Sequence, residues 1–147
     1  MTLSFNDLYK QKELLSQIDL KPTESVERLK ISRGYYANFL FAGHIAHKFK
    51  IPKRKFSKNN PDIVLGSHQR IHETLIQSGN PNLQHIGRCL GLYHELRKFS
   101  DYDIKLNLEP SDIKEAEYYF EQCRHRLEFY YKNPNLPYKP KAKIIFI

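Results

Sequence analysis

The sequence predicts an all-α protein, an up-and-down bundle of about five helices. Three observations carry that prediction. Long segments place apolar residues at three- and four-residue steps, the period of a helix. Clusters of Pro, Gly and Asn separate those segments. Strand-like alternation is scarce. At 147 residues, with 40% hydrophobic residues, ten tyrosines and nine phenylalanines, the chain suits one domain with a single core. The bundle is expected over residues 1–132, with residues 133–147 a C-terminal tail.

Residues 4–18 read as a first helix, with Ser4 or Asn6 available as its cap and Leu8, Leu14, Leu15 and Ile18 as its apolar face. The break at Asp19–Pro22 lets a second helix open at Thr23. Residues 23–49 form the longest periodic segment, with Val26, Leu29, Tyr36, Leu40 and Ile45 near one stripe and Phe39 and Phe41 widening it. So broad an apolar face belongs at the centre of a bundle. Gly34, Ala37, Ala42, Gly43 and Ala46 allow close helix approach. Arg33 stands out among them: it either reaches solvent or joins a polar site with Arg97.

Residues 50–65 hold two prolines, Asn59–Asn60 and a run of cations, and read as a loop. A short helix follows over 66–78, capped by Ser67 and stopped by Gly79-Asn80-Pro81. The next helix begins at Leu83 and ends around Asp101–Asp103. IKLNLE is extended, and Ser111, helped by Glu115, caps a last helix whose face is Ile113, Ala116, Tyr119 or Phe120, Cys123 and Leu127. Ile144–Ile147 can add as a strand, pack on a partner or fray.

The fourth helix organises the functional reading. Leu83, Ile86, Leu90 and Tyr93 make its apolar stripe, and on a wheel of about 100° per residue His94, Arg97 and Asp101 fall along the same side. Arg97 and Asp101 are four apart and can pair, and His94 lies one turn before Arg97. An ion pair at a helix edge accounts for that spacing; so does a polar site facing a partner surface. His44 and His47 are three apart, and His68 and His72 four apart, but no Glu-x-x-His pattern or third ligand completes a metal site, so no metal is expected.

Composition narrows the classes. No apolar run is long enough to span a membrane, and the N-terminus carries charge too early for a secretory signal. Cys89 and Cys123 lack metal-ligand spacing and read as reduced thiols of a cytoplasmic protein. No Gly-rich phosphate loop, Walker, Rossmann or Gly-x-Ser-x-Gly pattern is present, so no cofactor is expected. The net charge of +8 favours an acidic partner, nucleic acid foremost, RNA or DNA. The excess is clustered: Lys48, Lys50, Lys53, Arg54, Lys55 and Lys58 lie together, and Lys132, Lys139, Lys141 and Lys143 form a second group. The first cluster is expected to contact phosphates.

Three segments, in order, carry a resemblance. Ser32-Arg33-Gly34-Tyr35-Tyr36-Ala37-Asn38-Phe39 is similar to the Arg-x-Tyr-Tyr-Ala stretch in the second helix of the HEPN family of small prokaryotic helical domains. Gly66-Ser67-His68 is similar to the Ser-His that opens that family's third helix. Glu95-Leu96-Arg97-Lys98-Phe99-Ser100-Asp101-Tyr102 resembles the Leu-Arg-x-x-Ala-Asp-Tyr ending of its fourth. The resemblance implies a homodimer with the two fourth helices at a shared cleft. It also implies an RNA-cleaving toxin or phage-defence effector, which can be paired with a nucleotidyltransferase antitoxin. The family's ribonuclease signature is an Arg followed four to six residues later by a His. Arg88 and His94 satisfy that spacing, whereas Arg97 matches by its surroundings, with Tyr102 at the His position. The alternative implied is a non-catalytic module that binds the nucleotidyltransferase or nucleic acid.

Metal-free RNA cleavage needs a base for the 2′-OH proton and a cation for the charge that builds on phosphorus. A His with its ordinary pKa of about 6.5 suits the first role and an Arg fork the second. The catalytic residues expected are therefore His94, Arg97, Asp101 and Tyr102, with Arg97 oriented by Asp101 and Tyr102 a hydrogen-bond donor. Arg33, Lys50, Lys53, Arg54, Lys55, Lys58 and His68 are the residues expected to hold nucleic acid.

Overall fold

A computed structural model of the chain describes residues 4–17, 24–56, 62, 64–102 and 107–140. The described residues form five helices: α1 (Phe5–Ser16), α2 (Glu24–Lys48), α3 (Ser67–Ile76), α4 (Pro81–Tyr102) and α5 (Pro110–Lys132). The protein is an all-α helical bundle. Among the described residues the only β-type pairing is an isolated antiparallel bridge between Phe56 and Val64. No helix among them is long and apolar enough to cross a membrane. Ile18, the break at Asp19–Pro22, Thr23, Lys58, Asp103, Lys141, Lys143 and Ile144–Ile147 lie outside the described residues.

Each helix start has a local cause. Ser4 caps α1 through a reciprocal box, its hydroxyl accepting from Asp7 N at 3.3 Å while Asp7 Oδ2 accepts from Ser4 N at 3.1 Å. Gly66, not Ser67, occupies the cap position of α3, and no side chain bonds there. Gly79, at φ 80°, makes the turn into α4, and Asn80 Oδ1 accepts from Leu83 N at 3.1 Å, so α4 opens at Pro81, two residues before its first buried leucine. Pro110, with its φ pre-set, likewise starts α5 ahead of the expected cap Ser111. Asp112 Oδ2 then accepts from Glu109 N at 3.0 Å, the bond expected of Glu115.

α2 packs against all four other helices and α4 against α2, α3 and α5. The stripe on α4 is buried as expected, with Leu83, Ile86, Leu90 and Tyr93 all within the core. The face of α2 is rotated from expectation. Ile31, Tyr35, Asn38, Phe41, Ala42 and Ile45 are buried, whereas Leu29 and Leu40 are exposed. Asn38 explains the rotation: its Oδ1 accepts from the Tyr9 hydroxyl at 2.6 Å and its Nδ2 donates to Phe120 O at 3.2 Å, so a polar residue sits in the core at little cost. On α1 the roles of Leu14 and Lys12 are exchanged. Leu14 is exposed; Lys12 is buried, its Nζ 3.0 Å from Glu117 and 4.0 Å over the Phe120 ring. Of Tyr119 and Phe120 on α5, Phe120 is the buried one. Cys89 and Cys123 are buried free thiols.

In the segment after α2 the described residues 50–56, 62, 64 and 65 hold no helix, and they are tethered to α3; Asn59–Asn60 lie outside the described residues. Arg54 N donates to Thr74 Oγ1 at 3.1 Å, Leu65 N to Lys55 O at 2.9 Å, and Gln77 Nε2 to Phe56 O at 3.3 Å. Lys50, Lys53, Arg54 and Lys55 all point into solvent from it.

Candidate functional site

The second half of α4 turns its polar residues toward α2. Arg97 is only 5% exposed, a burial a guanidinium tolerates when its donors and charge are met. Its Nη2 donates to the Tyr36 hydroxyl, its Nε lies 3.2 Å from Asp101 Oδ2, and its guanidinium lies 4.7 Å over the Tyr36 ring and 5.7 Å from that of Tyr35. Ser32 Oγ reaches the same Asp101 oxygen at 3.5 Å. Asp101 thus holds Arg97, as the four-residue spacing predicts.

His94, one turn earlier, meets the histidines of α3. Its ring stacks on that of His68 with centroids 4.7 Å apart and planes at 22°, and His68 stacks in turn on Phe39 at 4.4 Å. Tyr35, fully buried in α2, lies beneath them with its hydroxyl 2.9 Å from His68 Nδ1 and 3.2 Å from His72 Nε2. His94 Nδ1 is buried and finds no hydrogen-bond partner among the described residues.

Burial sets the protonation of this cluster. It depresses His72 to about 3, aided by His94 and His68, and His94 to about 4, aided by His68, Lys98 and Arg97 against Glu95. His68 is lowered by burial and then by Arg97 and Lys98. Burial also pushes the Tyr35 hydroxyl up, so it remains protonated. At neutral pH the site therefore holds three neutral imidazoles beside the cations of Arg97 and Lys98. Such a set can accept and donate protons and can attract an anion.

No family model, no curated protein and no solved structure matches the chain.

The structure brings together His68, His94, Arg97 and Asp101 of the expected residues. Tyr102 ends α4, but its side chain lies outside the described residues. Arg33 faces another direction, lining a groove of about 570 Å³ with Gln11, Leu14, Leu15 and Leu29 between α1 and α2. Arg88 is exposed and its charge acts on His85. About 120° of helix separates Arg88 from His94. His44 lies elsewhere, its ring 5.6 Å from Phe5 and 6.1 Å from Tyr131. Among the described residues no group of three His, Cys, Asp or Glu is placed to hold a metal ion. Tyr35, Tyr36 and His72 are the site members that sequence reasoning missed. The histidine pair at four-residue spacing and the adjacent tyrosines were the available signals.

Proposed function

We propose that the chain is a HEPN-type endoribonuclease that cuts RNA without a metal, as a toxin or phage-defence effector in the cytoplasm. The observation that carries this reading is the packing of neutral imidazoles against the Asp101-held guanidinium of Arg97 at one end of α4. A phosphodiester bound there would face a cation and a proton acceptor together. Its charge would also offset the positive neighbours that depress His94. Lys50, Lys53, Arg54 and Lys55 supply an exposed basic surface for the rest of the strand. On this reading Tyr102 adds a hydrogen-bond donor. Two copies pair through α4, and a nucleotidyltransferase serves as antitoxin.

The test is cleavage of RNA by purified protein in the presence of a chelator. His94→Ala and Arg97→Ala should each reduce the rate at least tenfold, with unchanged helical content by circular dichroism. Asp101→Asn should cost less than Arg97→Ala, because the amide still accepts one hydrogen bond. Activity that survives Arg97→Ala but disappears with Arg88→Ala moves the site to Arg88.

One observation favours a second reading. Arg97 is nearly inaccessible, its Nη2 donating to Tyr36 and its charge paired with Asp101 at 3.2 Å. A non-catalytic module would use that buried pair as structure and bind nucleic acid, or a nucleotidyltransferase, through its surface. Absence of cleavage, together with nucleic-acid affinity that falls with salt less steeply after Lys53, Arg54 and Lys55 are replaced by Ala, would establish it.

A further inference from the structure

The Tyr35 hydroxyl faces two ring nitrogens, yet it has a single proton to give. With both imidazoles neutral, two arrangements satisfy all three groups. In one, Tyr35 donates to His68 Nδ1 and accepts from His72 Nε2, which leaves the proton of His68 on Nε2. In the other, Tyr35 donates to His72 Nε2 and accepts from His68 Nδ1–H, which leaves His68 Nε2 bare. Only the second lets His68 gain and lose a proton at Nε2 with no hydrogen bond broken, since Nδ1–H donates to Tyr35 in both charge states. The first would have to break the O–H···Nδ1 bond.

The His68 ring is held on several sides. Phe39 covers one face and His94 stacks on it at 4.7 Å, while Nδ1 is held at 2.9 Å. His94 has no such anchor, because its Nδ1 is buried without a partner among the described residues. A base oriented by a hydrogen bond to its other nitrogen, itself fixed by a third group, is a recurring catalytic arrangement.

We propose that His68 is the proton-carrying residue of this site, with Nε2 as the base, and that Tyr35 and His72 are positioning residues that fix its tautomer. The hydrogen-bond geometry admits two tautomers; the choice of the one with Nε2 bare, like the identity of the proton, rests on the ribonuclease reading. On that reading His68 Nε2 takes the 2′-OH proton, the 2′-oxygen bonds to phosphorus and the P–O5′ bond breaks. The leaving 5′-oxygen takes a proton from water, and the imidazolium returns its own to the hydroxide left behind. The products are a 2′,3′-cyclic phosphate and a 5′-hydroxyl, with no net proton consumed. The groups facing His68 are Tyr35 and Tyr36 from α2, His72 from its own helix, and His94, Arg97 and Lys98 from α4. Burial and the last two cations keep it unprotonated at neutral pH, ready to accept.

Long-range nitrogen–proton NMR on the full chain at pH 7 tests the relay without any substrate. His68 should carry its proton on Nδ1, and Tyr35→Phe, which removes only the hydroxyl, should move that proton toward Nε2. His72→Gln keeps an acceptor for Tyr35 and should preserve the wild-type tautomer, whereas His72→Leu should lose it. In the RNA assay His68→Gln should lower kcat at least 100-fold, and Tyr35→Phe at least tenfold at little cost in KM, with His72→Gln close to wild type. A wild-type His68 protonated on Nε2, or a tautomer indifferent to Tyr35→Phe, overturns the proposal. So does cleavage that survives His68→Gln. If the tautomers are as expected and the wild-type protein cuts no RNA, the relay stands and the ribonuclease reading alone falls.

Discussion

At Gly87, α3 and α4 approach each other without room for a side chain. A Cβ there would lie 2.7 Å from the His72 carbonyl oxygen and 2.8 Å from Ile76 Cγ1. The first of these is backbone and cannot rotate away. Gly87→Ala should therefore destabilise the protein by about 1–3 kcal/mol, as overpacking does, measured by urea unfolding. It should also disturb the Tyr35–His72 contact, because the carbonyl that must shift belongs to His72. Single residues differ in how far the sequence announces them. His94, Arg97 and Asp101 were legible because helical spacing alone puts them on one side. Tyr35 was not, since a tyrosine at a core position reads as packing, and its hydroxyl acquires meaning only from two rings on another helix. Leu14 was misplaced on the buried face for a related reason: Lys12 takes a buried position instead, and the carboxylate that pairs with it is supplied by Glu117, far along the chain.

Between elements, the join of α2 to the end of α4 bears most directly on the site. The last carbonyls of a helix lack partners within it. Arg28, only 8% exposed, donates from Nη1 to Phe99 O at 3.2 Å and to Ser100 O at 2.8 Å, while its Nη2 meets Glu24 at 3.0 Å. Glu24 in turn accepts from Leu108 N at 2.6 Å, tying in the stretch that leads to α5. Arg28→Ala should cost about 2 kcal/mol, the range for hydrogen bonds to a charged group. It should also speed amide exchange in the last turn of α4, where Asp101 sits; unchanged exchange there would show that α4 needs no such clamp. Helix existence and order were legible from periodicity and stop signals. The starts of α3, α4 and α5 were less so, because cap residues and prolines compete at adjacent positions and only the realised backbone selects among them.

At the scale of the whole molecule, the buried imidazoles tie stability to pH. His72 has an ordinary pKa of 6.5 when unfolded and about 3 when folded, so below pH 6.5 the unfolded chain binds a proton that the folded chain refuses. Its stabilising contribution is complete above pH 6.5 and is lost as pH falls toward 3, at up to about 1.4 kcal/mol per pH unit. Asp7 and Glu24, whose pKa values are lowered by bonds from the Ser4 and Leu108 backbones, add to the loss only further into acid. Unfolding midpoints should therefore begin to drop near pH 6.5, and His72→Gln should make that first decline shallower, leaving the share that His94 and His68 contribute. A midpoint constant from pH 7.5 to 4.5 would contradict the burial of a neutral His72.

The tight turn at Gly79 has a kinetic side as well. His68, His72, His94, Arg97 and Asp101 all belong to the two helices it joins, so most of the polar cluster is closed by contacts local in sequence. Closing short loops costs little chain entropy, and helical hairpins form early for that reason. Tyr35 comes from α2, which leaves the ribosome before either of them. By the time α5 is synthesised every described member of the cluster already exists, and the last helix closes over the Cys89 side of α4 rather than the side that carries the imidazoles.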